Sequence, residues 1–252
     1  MTLSALGTII LWFGWYGFNC GSGSVAIAGK VATTTTISAA ASCVTGVVLG
    51  KVIYKTWDVG IGLNCVLAGL VSITAGANVV EPWGAFLAGM LGAMLYMLSS
   101  TALKKFKIDD PLDAFSVHGT CGFWGLLVVG IFGTKDAFIY STGSDGGCSA
   151  TVGCLSIFLA NLCFGLSIFC WTAVSSLIIF GGLKLIGKCF PEQLGKNYPR
   201  FEPPCGMDVA EHGGHAYVFD GDVEMPKLTA APVTSEVFDM VAPDLQSSGT
   251  IE

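Results

Sequence analysis

Between Leu3 and Ile186 the chain contains six long apolar runs almost free of charge: Leu3–Cys20, Val31–Tyr54, Gly60–Val80, Gly84–Leu103, Leu112–Gly133 and Cys154–Ile186. A helix needs about 20 mostly apolar residues to cross the hydrocarbon core of a bilayer. The expected fold class is therefore all-α: a polytopic membrane protein with a six-helix transmembrane domain over residues 1–186 and a tail over 187–252. Charged residues make up 12% of the chain against 52% apolar ones. A soluble domain carries roughly twice that share of charge. Residues 1–29 carry no charge at all, and most of the acids lie between Lys188 and Glu252. The net charge of −6 thus belongs mainly to the tail, and no basic stripe suggests a nucleic-acid partner.

Turn-forming residues separate the runs: GSGS after the first, EPWG between the third and fourth, TGSDGG before the sixth. The second run is rich in Thr and Ala (ATTTTISAAAS), and small and hydroxyl residues suit helix–helix contact in a membrane. The last run has thirty-odd residues and would reach roughly 50 Å at about 1.5 Å per residue, against a core of about 30 Å, so it must tilt or project. With the tail inside, the inner segments hold Lys51, Lys55, Lys104, Lys105, Lys107, Lys184, Lys188, Lys196, Arg200 and Lys227. The outer loops hold Lys30 and Lys135. This bias places both termini of the chain in the cytoplasm of a multi-pass cell-membrane protein.

Three groups of residues could carry chemistry. The first is LWFGWYGFNCGSGS, with Trp15, Phe18 and Ser22 near the outer end of the first span. It reads either as an interfacial aromatic belt or as a cation site, because an aromatic face attracts a cation and a hydroxyl accepts its hydrogen bonds. Ser24 and Asn19 read as helix-end caps. The second is DDPLDAFSVHGTCGFWG. Pro111 suits a first helical turn, and Asp109, Asp110 and Asp113 complement the positive end of the dipole. His118 is the only histidine before the tail, and an intramembrane ionisable residue is a functional candidate, the alternative being a neutral imidazole that ties two helices. Gly119, Gly122 and Gly125 lie near one face and would let a helix or a narrow lumen approach. The third is CGMDVAEHGGHAYVFD in the tail. Cys189, Cys205, His212 and His215 fit no common metal spacing, so no metal or cofactor is expected. The tail reads as ordered near 205–219 and disordered after 220. Cys148 and Cys154 flank an outer loop, where a disulfide is possible.

LWFGWYGFNCGS, VATTTTISAAA, VVEPWGA, DDPLDAFSVHGTCGFWG and GMDVAEHGGHAY, in this order over nearly all of residues 1–220, resemble consecutive signatures of the Amt/Mep/Rh ammonium transporters, most of all the plant- and alga-like Amt branch. The resemblance implies an eleven-span homotrimer with one pore per subunit, lying between two five-span repeats of inverted topology. This chain resembles the C-terminal half: the second repeat, the long final helix and the cytoplasmic tail, as in an N-terminally truncated form. By resemblance Phe18 matches one ring of a stacked phenylalanine gate. Ser22 and Trp15 match the outer ammonium site, His118 matches the second of two pore histidines, and Asp113 matches the acid five residues before it. Ala114 and Ser116 are smaller than residues often found beside that histidine, and Ala210 stands where plant members carry a phosphorylated Thr.

The function implied is ammonium transport, not enzymatic catalysis, with ammonium or ammonia and membrane lipid as partners. The rival readings are a non-conducting sensor or assembly partner, and an intramembrane serine protease. The protease reading is weakened because CGSG puts Cys20 where a G-x-S-G pattern needs Gly.

Overall fold

A computed structural model of the chain describes residues 2–108, 110–136, 139 and 155–189. Among these, six α-helices stand at the six apolar runs: α1 Thr2–Gly21, α2 Ala28–Tyr54, α3 Val59–Thr74, α4 Pro82–Lys105, α5 Cys121–Phe132 and α6 Leu155–Cys189. The Cys148–Cys154 loop, Asp109, and the tail with Cys205, Ala210, His212 and His215 lie outside the described residues. Among the described residues, four segments are long and apolar enough to cross a membrane by themselves: Val25–Tyr54, Pro82–Lys105, Phe115–Phe132 and Leu155–Ile186. The other two helices are weaker candidates, α3 being a shorter apolar helix of 16 residues and α1 being diluted by Gly, Trp, Tyr and Asn.

The exterior is apolar, and hydroxyl residues are buried beside the apolar core. Thr34, Thr35, Ser38, Ser42, Ser72 and Ser116 are fully buried, while Leu3, Phe13, Leu98, Trp171, Leu177 and Phe180 are each at least two-thirds exposed. In water such an apolar exterior would drive aggregation; in lipid it is the stable arrangement, and small and hydroxyl residues form the helix contacts. A stripe on α2 shows how. Thr34, Ser38 and Ser42 repeat every four residues and donate to the carbonyls of Ala77, Gly69 and Cys65. Gly69 of α3 and Gly89 of α4 both close on Ser38, where an added Cβ would strike its carbonyl oxygen. Three helices therefore converge on Ser38, with glycine on two of them at the point of contact.

The helix ends follow from local chemistry. The Asp58 carboxylate caps α3 by accepting from Gly60 and Ile61 N–H. Pro82 stands at the start of α4, where no partner for its missing N–H is needed. Lys55 ends α2 in the left-handed region (φ 61°). An ion pair of 2.8 Å between Lys30 and Glu81 joins the beginnings of α2 and α4. Ser24 caps the start of the short 3-10 turn Val25–Ile27 that leads into α2, not the end of α1. Asn19 does not act as a cap: it is buried, and its amide donates to Thr35 across the α1–α2 contact.

Two expected spans differ from the helices observed. The third was expected to run to Val80, but α3 stops at Thr74. The chain then folds back through a turn in which Val79 and Val80 N–H donate to Gly76 O, and Val80 bridges Gly133 beyond α5. Gly76 permits this because a side chain there would meet Val80 and Val128. The fifth was expected to begin at Leu112 with Pro111 in its first turn. Pro111 and Leu112 instead form a turn, Asp113 is left-handed (φ 53°), and Phe115–Thr120 is a π-helix that leads into α5. Of the three acids assigned to this helix start, Asp110 does cap it, accepting from Ala114 and Phe115 N–H at 2.8 and 3.0 Å. The carboxylate of Asp113 turns away to α3 and α4.

Candidate functional site

α1 brings Trp15 and Phe18 to one face because they are three residues apart, close to one helical turn. Trp15 is fixed from behind: its Nε1–H donates to Thr74 Oγ1 at 2.9 Å, and Thr74 donates on to Leu70 O at 2.7 Å. Its ring meets Phe18 edge to face, with centroids 5.9 Å apart, a favoured aromatic geometry. Phe18 is 60% exposed, so its face is open for a cation or a second ring.

His118 lies within the π-helix and is exposed. It shares a cavity of about 690 Å³ with Trp15, Phe18, Val71, Thr74 and Gly122. The structure thus brings together residues of α1, α3, the π-helix and α5 that are about a hundred positions apart in sequence. The cavity walls are mostly aromatic and aliphatic, and the polar atoms are those of His118, Trp15 and Thr74. π-helical turns within α-helices occur disproportionately at functional sites.

Ser22 is placed differently. It lines a second cavity of about 200 Å³ with Asn19, Gly23, Thr74 and Asn78, which shares Thr74 and Ala75 with the first. Its hydroxyl proton is committed to Phe18 O at 2.7 Å. The oxygen lone pairs therefore remain to accept from an outside donor.

The glycines divide the roles that their shared face left open. Gly125 is the helix contact, since a Cβ there would lie 3.1 Å from the carbonyl oxygens of Val71 and Ser72. Gly122 lines the large cavity, and a Cβ there would meet only Val71, at 3.8 Å. Gly119 lies under the Phe115 ring, 3.1 Å from where a Cβ would stand.

Asp113 accepts three hydrogen bonds: from Tyr96 Oη–H at 2.8 Å, Ser100 Oγ–H at 2.6 Å and Asn64 Nδ2–H at 3.1 Å. The sequence reading missed Thr74, Asn64, Tyr96 and Ser100. A hydroxyl or amide within an apolar run was the available signal, but it did not distinguish these residues from the many other hydroxyls in the spans.

The chain matches the model of the Ammonium Transporter Family over residues 1–217. It is 33% identical over 237 residues to ammonium transporter 1 member 3 of Solanum lycopersicum, covering 86% of this chain and 50% of that protein. It is likewise 33% identical over 220 residues to ammonium transporter Amt2 of Archaeoglobus fulgidus, covering 86% and 46%. The chain therefore spans about half the length of the curated relatives it matches. Among solved structures it resembles a sensor Amt protein (TM-score 0.61, 34% identity, 72% of this chain and 44% of that one). It also resembles Mep2 of Saccharomyces cerevisiae (TM-score 0.57, 29% identity, 65% and 38%). With this match, an all-α architecture and an apolar exterior, the chain is a multi-pass membrane protein that belongs to the Ammonium Transporter Family.

Proposed function

We propose that this chain forms one wall of an ammonium-conducting pathway, with the large cavity as the open side of that pathway. The observation that carries the reading is the shared cavity of Trp15, Phe18 and His118 in a chain whose relatives are named ammonium transporters. Ammonium would be drawn to the outer end by the Phe18 and Trp15 rings and by the lone pairs of Ser22. Sodium has no N–H donors to satisfy those acceptors. Further in, the walls are apolar and a bare cation is strongly disfavoured, so a titratable guest tends to shed its proton. His118 supplies the polar atoms along that stretch, one ring nitrogen donating and the other accepting in the neutral imidazole. Gly122 keeps the path wide beside it.

The second wall is the other repeat of the family fold, since substrate paths in inverted-repeat transporters lie at the repeat interface. Two copies of this chain would not replace it, because they share one membrane orientation. In the assembled protein we place three subunits together, each with its own pathway. The test is growth on low ammonium in a host without its own transporters. The expected result is saturable rescue when the chain is expressed with a first-repeat fragment of a related transporter, and none from the chain alone. Strong rescue by the chain alone would overturn the half-pathway reading, and labelling of Ser22 by a fluorophosphonate would favour a hydrolase. The likeness to a solved sensor Amt protein supports a second reading, a binding partner that does not conduct; ammonium binding without uptake in the paired state would favour it.

Both termini of the chain lie on the cytoplasmic side of the cell membrane in this proposal, on the Lys/Arg asymmetry. An impermeant thiol reagent applied to intact cells should label Cys148 and spare Cys205. The opposite pattern would invert the topology.

A further inference from the structure

Asp113 stands five residues before His118, at the entrance to the π-helix. Its backbone is left-handed (φ 53°), a conformation that costs a non-glycine residue strain and persists only where the surroundings hold it. What holds it is side-chain chemistry from two other helices. Tyr96 and Ser100 of α4 and Asn64 of α3 all donate to its carboxylate, and Asn64 also donates to Tyr96 Oη at 3.0 Å, which closes the network. Tyr96 and Ser100 are buried. The main chain of Asp113 joins the same point to the helix, because Val117 N–H donates to its carbonyl at 2.8 Å.

At the other end, α5 is seated at Gly125 against the α3 carbonyls of Val71 and Ser72. The segment Phe115–Thr120 therefore runs between these two anchors, and within it Ser116 and Thr120 pair with Ser99 of α4 at 3.2 and 2.8 Å. A π-turn holds one residue more than an α-turn, and α-helix is the more stable local form. Freed at one end, the segment would relax to α-helix. Side chains before Thr120 would then rotate by about 100°, the angle of one residue. His118 is among them, and it would leave the cavity face it shares with Trp15 and Phe18.

We propose that Asp113 is the positioning residue of His118: its three-donor anchor on α3 and α4 keeps Phe115–Thr120 in the π form and so keeps the imidazole in the cavity. The inference rests on the reading of His118 as a pathway residue for its consequence, but its test does not use transport, so either can fail without the other. The full chain in lipid nanodiscs is treated with diethyl pyrocarbonate, and carbethoxylation of His118 is followed by mass spectrometry, with His212 and His215 reporting the dose. Asp113→Ala should slow modification of His118 roughly tenfold, the scale set by losing charge-assisted hydrogen bonds, with His212 and His215 unchanged. Asp113→Asn can still accept from Ser100 while its amide pairs with a turned Asn64, and should stay within about twofold of the parent. Tyr96→Phe removes one donor at nearly constant volume and should slow His118 roughly threefold; it decides the matter if Asp113→Ala does not fold. Equal His118 rates in the parent and in Asp113→Ala, or in the parent and Tyr96→Phe where the alanine variant is lost, would overturn the proposal. So would a fall in all three histidines together, or a loss in Asp113→Asn as large as in Asp113→Ala.

Discussion

His118→Ala, in the chain paired with a first repeat, should lower saturable ammonium uptake by about 100-fold or more, the range contributed by a side chain that exchanges a proton with its substrate. Thermal stability and assembly should be unchanged. The two halves of this expectation come from the same geometry. His118 is exposed to the cavity and is not packed in the core, so truncation leaves no buried void and should cost no more than about 0.5 kcal/mol of stability. It does remove the donor and acceptor nitrogens from a stretch whose other walls are apolar. Uptake and unfolding temperature, measured on one preparation, separate the possibilities. A variant that loses stability in proportion to activity would show that the imidazole ties helices together. Unchanged uptake would show that it has no part in the pathway.

Gly89→Leu should prevent the helices from packing. The position is buried at the contact of α4 with α2, and an added Cβ would fall on the Ser38 carbonyl oxygen and within 2.8–2.9 Å of its carbonyl carbon and Cα. These are backbone atoms and cannot swing aside. Moving α4 away would open its contact with α2 and expose backbone polar groups there that lipid cannot satisfy. Overpacking against backbone atoms should cost about 3 kcal/mol, a large part of a typical folding free energy of about 5–15 kcal/mol. Unfolding in mild detergent, followed by circular dichroism or resistance to sodium dodecyl sulfate, would measure it. Gly17→Leu is the matched control, because nothing lies within 4 Å of a Cβ at that position. Equal stability of the two variants would refute the close-contact account of this three-helix junction.

Much of the architecture was legible without coordinates. Whether a run of residues prefers lipid is a sum of local transfer energies, so the six apolar runs located six helices to within a few residues at most of their ends. The Thr- and Ala-rich second run suited helix–helix contact, and Thr34, Ser38 and Ser42 on it bond to the chain of α3 and the turn after it. The GFNCGS and SVHGT motifs singled out Phe18 and His118, which the fold brings to one cavity.

What only the tertiary structure decided are the features set by partners far away in sequence. α3 ends at Thr74 because Gly76 allows a turn that closes against Gly133, more than fifty residues later. FSVHGT adopts the π form while bounded by Asp113, held from α3 and α4, and by the seat of Gly125 on α3. Ser22 parts from His118 into a second cavity, and Trp15 is oriented by a hydroxyl 59 positions away. Hydropathy is blind to all of these. In lipid both the packed and the separated helices have apolar surroundings, so the hydrophobic effect does not choose which faces meet. That choice falls to backbone contacts at single glycines and to hydrogen bonds between isolated polar groups, whose geometry exists only once the helices are together.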